Sequence, residues 1–180
     1  DPAMYTDTLG DIPVADNNRV RAGLGVIPRI IGENMPIYAR KLGPREAFRR
    51  LEDVYTPYHA KLAELLMAQI KNYGTSVLID CHSMPSGPEL YRRGQPQPDV
   101  ILGDCWGTSC NRDLTSLVEK LFFEAGFKVR RNIPYAGGFA TRHYGNPKNN
   151  CHALQIEVNR SIYMDERRVE KLPHFNTVRD

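Results

Sequence analysis

The run Val77-Leu78-Ile79-Asp80-Cys81-His82-Ser83-Met84-Pro85 constrains this chain more than any other stretch. Three large apolar residues in succession predict a strand buried on both faces. The abrupt change to Asp80, His82 and Ser83, closed by Pro85, marks its carboxyl end. In open α/β sheets, ligands bind just beyond the carboxyl ends of the strands. His82, with an acid two residues before it, therefore sits where chemistry or metal binding is done. A lone histidine in such a place is more often satisfied by local hydrogen bonds, so the rest of the chain has to decide.

The elements around this run predict a layered α/β domain. Gly43-Pro44 opens a helix in which Ala47, Phe48, Leu51, Val54 and Tyr55 share one face. Pro57 starts a second helix or a kinked continuation, with Leu62, Leu65, Leu66 and Ile70 inward, and Gly74 ends it. Asp99-Val100-Ile101-Leu102-Gly103-Asp104 reads as a second short buried strand. Residues 113–125 read as a helix with Leu114, Leu117, Val118, Leu121 and Phe122 inward, and residues 127–131 as a third strand. The succession strand, helix, strand predicts a mainly parallel or mixed central sheet with helices on both faces. Residues 7–18 read as loop, residues 20–31 as a strand or close-packed loop, and residues 86–98 as a polar loop rich in Gly and Pro.

Composition narrows the function classes. With 180 residues, 41% hydrophobic and 25% charged, the chain has room for one domain with a sizeable core. The net charge of +3 is small and its basic residues are scattered, which argues against nucleic acid or a membrane surface as partner. No apolar run approaches a membrane span and Asp1-Pro2-Ala3 carries no signal-peptide pattern, so a cytoplasmic location is expected. Cys81, Cys105, Cys110 and Cys151 form no C-x-x-C pair and read as reduced structural thiols. Cys81 is rejected as a nucleophile serving with His82, because neighbours on a strand point to opposite faces.

The segment 132–151 is long, aromatic and glycine-rich, the composition of a binding loop rather than a linker. Its Gly137-Gly138 pair lets backbone approach a ligand closely. A strand follows, His152-Ala153-Leu154-Gln155-Ile156-Glu157-Val158-Asn159-Arg160. Leu154, Ile156 and Val158 point one way; Gln155, Glu157 and Asn159 point the other. On a surface strand that alternation means one wet face. In a sheet covered by helices the polar row must face a cavity or cleft. A helix is expected near Asp165-Glu166, and the remainder to Asp180 shows no core pattern. Two strand ends thus present His82 and Glu157, and the long loop presents Arg142, His143 and Tyr144. An imidazole can ligate zinc and a carboxylate can take a proton from water, but a catalytic zinc needs about three protein ligands. Spacing alone leaves metal-dependent hydrolysis weakly supported.

Three ordered segments carry a resemblance that strengthens it. They are Leu78-Ile79-Asp80-Cys81-His82-Ser83-Met84-Pro85-Ser86; Arg131-Asn132-Ile133-Pro134-Tyr135-Ala136-Gly137-Gly138-Phe139 continuing through Thr141 and Tyr144-Gly145; and the strand 152–161 with Tyr163-Met164-Asp165-Glu166. Together they resemble the N-formylglutamate amidohydrolase (deformylase) family, most strongly over residues 76–166. That family is similar to zinc carboxypeptidases and the aspartoacylase group in its α/β fold and its metal-dependent amide hydrolysis.

The resemblance implies that His82 ligates zinc, or another divalent metal in its place. It implies that Glu157 is the general acid/base acting on the water that the metal activates. Asp80 is expected to orient the imidazole. Arg142 and Arg160 are the candidates for holding a dicarboxylate substrate, since guanidinium pairs bidentately with carboxylate. Asn132, Gly138 and Thr141 are further candidates for substrate contact. His143 and His152 could also be ligands but rank below His82, with structural or loop roles favoured, and His59 reads as structural or exposed. The family's other zinc ligands are expected upstream, in a Pro-His-Ser-Gly-like segment that has no counterpart here. Residues 1–180 are accordingly expected to be a single α/β hydrolase domain without its N-terminal portion. The implied reaction is N-formyl-L-glutamate plus water to formate plus L-glutamate, in histidine breakdown, with the oligomeric state left open. The alternatives are a related zinc aminoacylase or peptidase acting on another acyl-amino acid, and a non-catalytic anion-binding domain of the same fold.

Overall fold

A computed structural model describes residues 18–31, 35–40, 42–87 and 96–180. The expected loop at 7–18 lies outside the described residues except for Asn18, which is helical, and most of the expected polar loop at 86–98 lies outside them too. The chain divides into two compact units, residues 1–62 and 63–180.

In the first unit, helix α1 (Asn18–Arg21) takes in Val20 and Arg21 and leads into a loop whose Ile30 bridges to Pro36, so residues 22–31 are close-packed loop rather than strand. Helix α2 (Pro44–Arg50) begins after an extended Gly43, with Pro44 where a missing N–H costs nothing. It continues through a π-helical turn, Leu51–Tyr55, into α3 (Thr56–Tyr73), which crosses into the second unit. Ala47 and Ile27 are buried together, flanked by Val26, Tyr38 and Leu42. The face expected to run on through Val54 does not: Val54 is 68% exposed. Val54, within the π-helical turn, lines the same open cavity as Ile27 and Leu51, and is left exposed there. Farther along α3, Leu66 is buried but the expected inward Leu65 is largely exposed, so the buried stripe is one residue wide there.

In the second unit, strands β1 (Ser76–Met84), β2 (Val100–Gly103), β3 (Val129–Arg131) and β4 (Cys151–Asn159) form one sheet in the order β1-β4-β2-β3. β1 with β4 and β2 with β3 are parallel, and β2 with β4 is antiparallel, so the sheet is mixed. Helix α4 (Arg112–Glu124), capped by the Asn111 side chain on Leu114 N–H at 2.8 Å, lies between β2 and β3 in the chain. Its Leu114, Val118 and Phe122 cover Val100, Leu102, Cys110 and Leu154, which form the core of one sheet face. Burial pushes the Cys110 thiol up, and it packs as a small apolar group. The short helix α5 (Phe139–Tyr144) lies on the opposite face, so helices cover both sides as expected.

Three expectations are corrected. Leu117 and Leu121 are more than half exposed, because the stripe that meets the sheet is narrow and runs through 114, 118 and 122. β1 is not buried on both faces: Ile79 is 40% exposed and Cys81 is exposed. Among the described residues β1 has only β4 beside it, so one long edge of this apolar strand is left uncovered. The helix expected near 165 is replaced by a hairpin of β5 (Met164–Asp165) and β6 (Glu170–Lys171), with helix α6 (Phe175–Arg179) only after it. The Asp165 carboxylate accepts the N–H groups of Arg167 and Arg168, each at 3.0 Å, and turns the chain back.

Candidate active site

The parallel pairing of β1 with β4 puts Asp80 opposite Gln155 and His82 opposite Glu157, two polar pairs on one face of the sheet. The alternate residues Ile79 and Cys81 face the other way beside Leu154 and Ile156. Cys81 and His82 therefore do not share a site. Gln155, Glu157 and Asn159, the polar row of β4, are all buried, at 5%, 6% and 2% exposure. This polar row faces a covered cleft, not solvent.

His82 lies at the rim, with its side chain about half exposed. Its Nε2 is 3.0 Å from Asp80 Oδ1, so Asp80 holds the ring. With the Nε2 proton directed at Asp80, Nδ1 keeps the lone pair that a metal would use. Glu157 is the deeper group. Burial pushes its carboxyl above the ordinary carboxylate range, while the Gln155 N–H and the nearby His82 and Arg160 oppose that rise and Asp80 adds to it. Gln155 Nε2 donates to Glu157 Oε1 at 2.5 Å. Tyr135 belongs to the same environment: burial and the Glu157 charge push its phenol up, and Arg160 pulls it down.

The loop expected to bind ligand is shaped by close backbone contacts. Cys105 N–H donates to Ala136 O at 2.7 Å, and the Arg142 guanidinium donates to Gly137 O at 2.8 Å. Gly137 has φ 136, and a Cβ there would stand 2.5 Å from Thr141 Oγ1 and 2.6 Å from Cys105 Sγ, so no other residue fits. Gly138 comes next, in an extended conformation at the start of α5. A Cβ at Gly138 would stand 3.2 Å from Gln155 Oε1 and 3.9 Å from Asp80 Oδ2. The backbone at Gly138 thus closes over the Asp80–Gln155 pair.

The other expected site residues divide by what they touch. Thr141 is fully buried and donates to Gly138 O at 3.0 Å, shaping the turn. Asn132 uses both ends of its amide on the turn after β2. Its Nδ2 donates to Asp104 Oδ1 at 2.8 Å, and its Oδ1 accepts from Asp104 N–H at 3.1 Å. Arg142 is exposed, and Arg160 is partly exposed with its Nε 3.1 Å from Glu166 Oε1. The other Glu166 oxygen accepts from Ser86 N–H at 3.0 Å and from the Ser86 hydroxyl, which ties the end of β1 to the segment after β4. His152 is buried with Nδ1 3.4 Å from Asn111 N–H, and His143 stacks on Phe139.

Gln155, Tyr135 and Glu166 were not among the expected site residues. Gln155 lay in the polar row of the last strand and Tyr135 in the Asn-Ile-Pro-Tyr-Ala-Gly-Gly segment, so both had a signal. Glu166 stands in the Tyr163-Met164-Asp165-Glu166 segment that carries the resemblance, but its contact with Ser86 spans 80 residues and had no local signal.

As a metal site the arrangement is partial. His82 is a suitably held imidazole donor, but among the described residues no three His, Cys, Asp or Glu side chains gather to hold an ion. A cavity of about 370 Å³ in the first unit is lined by apolar and tyrosine side chains, with Arg50 bound to Glu46 and Tyr38. It contains no acid/base pair. Among the described residues no helix is long and apolar enough to cross a membrane.

Comparison with known proteins shows the family. The chain is 35% identical over 150 residues to an N-formylglutamate deformylase of Pseudomonas aeruginosa, covering 81% of this chain and 56% of that protein. It is 35% identical over 171 residues to an N-formylglutamate deformylase of Pseudomonas putida, covering 91% of this chain and 63% of that protein. The chain thus spans roughly three-fifths of the length of these relatives. The crystal structure of an N-formylglutamate amidohydrolase from Ralstonia eutropha superimposes with a TM-score of 0.86 at 33% identity, over 99% of this chain and 68% of that one. The N-formylglutamate amidohydrolase family matches residues 2–164, and the chain belongs to that family.

Proposed function

We propose that this chain carries half of the active site of a metal-dependent hydrolase that converts N-formyl-L-glutamate and water to formate and L-glutamate, a step of histidine breakdown. The observation that carries the reading is the in-register pair His82–Glu157, with Asp80 holding the imidazole, in a chain of this family. The names of the relatives support the substrate.

In this mechanism His82, with its ring held by Asp80, would offer Nδ1 to a zinc ion. Zinc, when bound, supplies Lewis acidity to the formyl carbonyl and to water. Glu157 does the proton transfers. Water adds to the formyl carbon as its proton passes to Glu157. The carbon–nitrogen bond then breaks, its electron pair stays on nitrogen, and Glu157 returns the proton to that nitrogen. A carboxyl raised by burial suits both halves of the cycle, since it is a stronger base toward water than an ordinary glutamate and holds the proton until the leaving nitrogen takes it. Arg160, paired with Glu166 and close enough to act electrostatically on Tyr135 and Glu157, is the residue proposed to receive a substrate carboxylate.

The test is formate release and zinc content of the full-length protein, run against a panel of N-acyl amino acids. Formate from N-formyl-L-glutamate in preference to the panel supports the reading. Turnover of another acyl-amino acid alone would replace the substrate, and no turnover with zinc bound would leave a binding domain.

A further inference from the structure

Gln155 is 5% exposed and has two polar ends. The Nε2 end is engaged by Glu157 Oε1 at 2.5 Å, whereas Oε1 is a buried acceptor with no partner. Burying an acceptor without a donor is costly, so such an atom in a cleft points to a group that arrives with the ligand. The direction is given by Gly138: the space a Cβ would take there lies 3.2 Å from Gln155 Oε1. With glycine there, no side chain presses on this oxygen.

We propose that Gln155 binds the scissile amide, accepting the substrate's N–H on Oε1 while its Nε2 steers the Glu157 carboxylate. The inference rests on the proposed reaction and names the group that reads the leaving nitrogen. N-formylglutamate has one amide N–H. A substrate nitrogen held by that hydrogen lies beside the very residue that hands it a proton when the carbon–nitrogen bond breaks. The two ends of one side chain thereby place donor and recipient of the proton next to each other. An ester analogue, O-formyl-2-hydroxyglutarate, has the same carboxylates and formyl group but no N–H. It leaves Oε1 unpaired.

The experiment measures kcat/KM of the full-length protein for N-formyl-L-glutamate and for this ester, in the parent, in Gln155→Met and in Gly138→Ala. Met matches the length of Gln and offers no acceptor of comparable strength. The amide-to-ester ratio is expected to fall about tenfold to a hundredfold in Gln155→Met, the worth of one buried hydrogen bond. Gly138→Ala leaves the Gln155–Glu157 bond in place and narrows the space before Oε1, so it should lower the same ratio, chiefly through KM of the amide. A general loss of structure would lower both substrates together and leave the ratio unmoved. An unchanged ratio in both variants, with the parent active on the amide, overturns the role of Gln155 and leaves the proposed function standing. A parent that does not hydrolyse N-formyl-L-glutamate overturns both.

Discussion

His82 and Glu157 stand opposite one another on adjacent parallel strands, β1 and β4, although 75 residues separate them in sequence. Parallel pairing puts their side chains on the same sheet face, and the burial of Glu157 beside the half-exposed His82 gives the pair a depth gradient. The outer group suits a ligand that must be reached from solvent; the inner group suits proton transfer away from it.

Replacing Glu157 by Gln keeps the shape and an acceptor for Gln155 but removes the base. Formate release should fall about 10²- to 10⁴-fold, with the dissociation constant of L-glutamate changed little. Activity undiminished in this variant would end the mechanism.

The raised carboxyl of Glu157 also has a consequence for stability. A carboxyl whose folded pKa lies above its unfolded value favours the folded state at low pH. That contribution is lost as pH rises from the ordinary Glu value, about 4.3, through the folded one. In metal-free protein, Glu157→Gln should therefore gain melting temperature relative to the parent as pH is raised from 4 to 8. Thermal melts across that range check the sign; a constant difference contradicts it.

Arg160 is held by Glu166, and Glu166 by Ser86. Arg160→Lys keeps the charge and loses the planar fork, so KM for the dicarboxylate should rise roughly tenfold or more with kcat less affected. Glu166→Gln should move KM in the same direction by a smaller factor, because it loosens the arginine without removing it. Initial-rate kinetics on both variants separates these.

Packing predictions contrast two leucines. Leu154 is fully buried in the core with Val100, Leu102 and Cys110, and its truncation to Ala should cost about 2–5 kcal/mol. Leu117 is 53% exposed, and the same change there should stay within about 0.5 kcal/mol. Urea denaturation of the two variants is the measurement.

At Gly137 the backbone has φ 136 and contacts that a Cβ would violate. Gly137→Ala should destabilise by roughly 1–3 kcal/mol, and should also displace Gly138 and so weaken substrate binding. Equal stability of parent and variant would show that the turn relaxes freely.

The residues that carry local chemistry were legible from the chain alone. The alternation in 152–159 and the polar end of 77–85 follow from the two-residue period of a strand, which needs no partner to be read. Gly43-Pro44, Gly74 and Gly126 punctuate helices because their own dihedral limits do so. The N-formylglutamate segments pointed to the family for the same reason, being contiguous. What required the tertiary structure is everything set by which strand lies beside which. β1 carries three apolar residues but has one neighbour, so Ile79 is exposed where its composition implied full burial. Val54 keeps its place beside Leu51 but lines an open cavity, so it is exposed where the helical period alone implied burial. Only the register of β1 on β4 brings Asp80 to Gln155 and His82 to Glu157, and only the packed fold leaves Gln155 Oε1 buried beside Gly138 with no partner. A sequence specifies which side chains can do chemistry. Their distances are set by long-range pairing and burial, which depend on the whole fold.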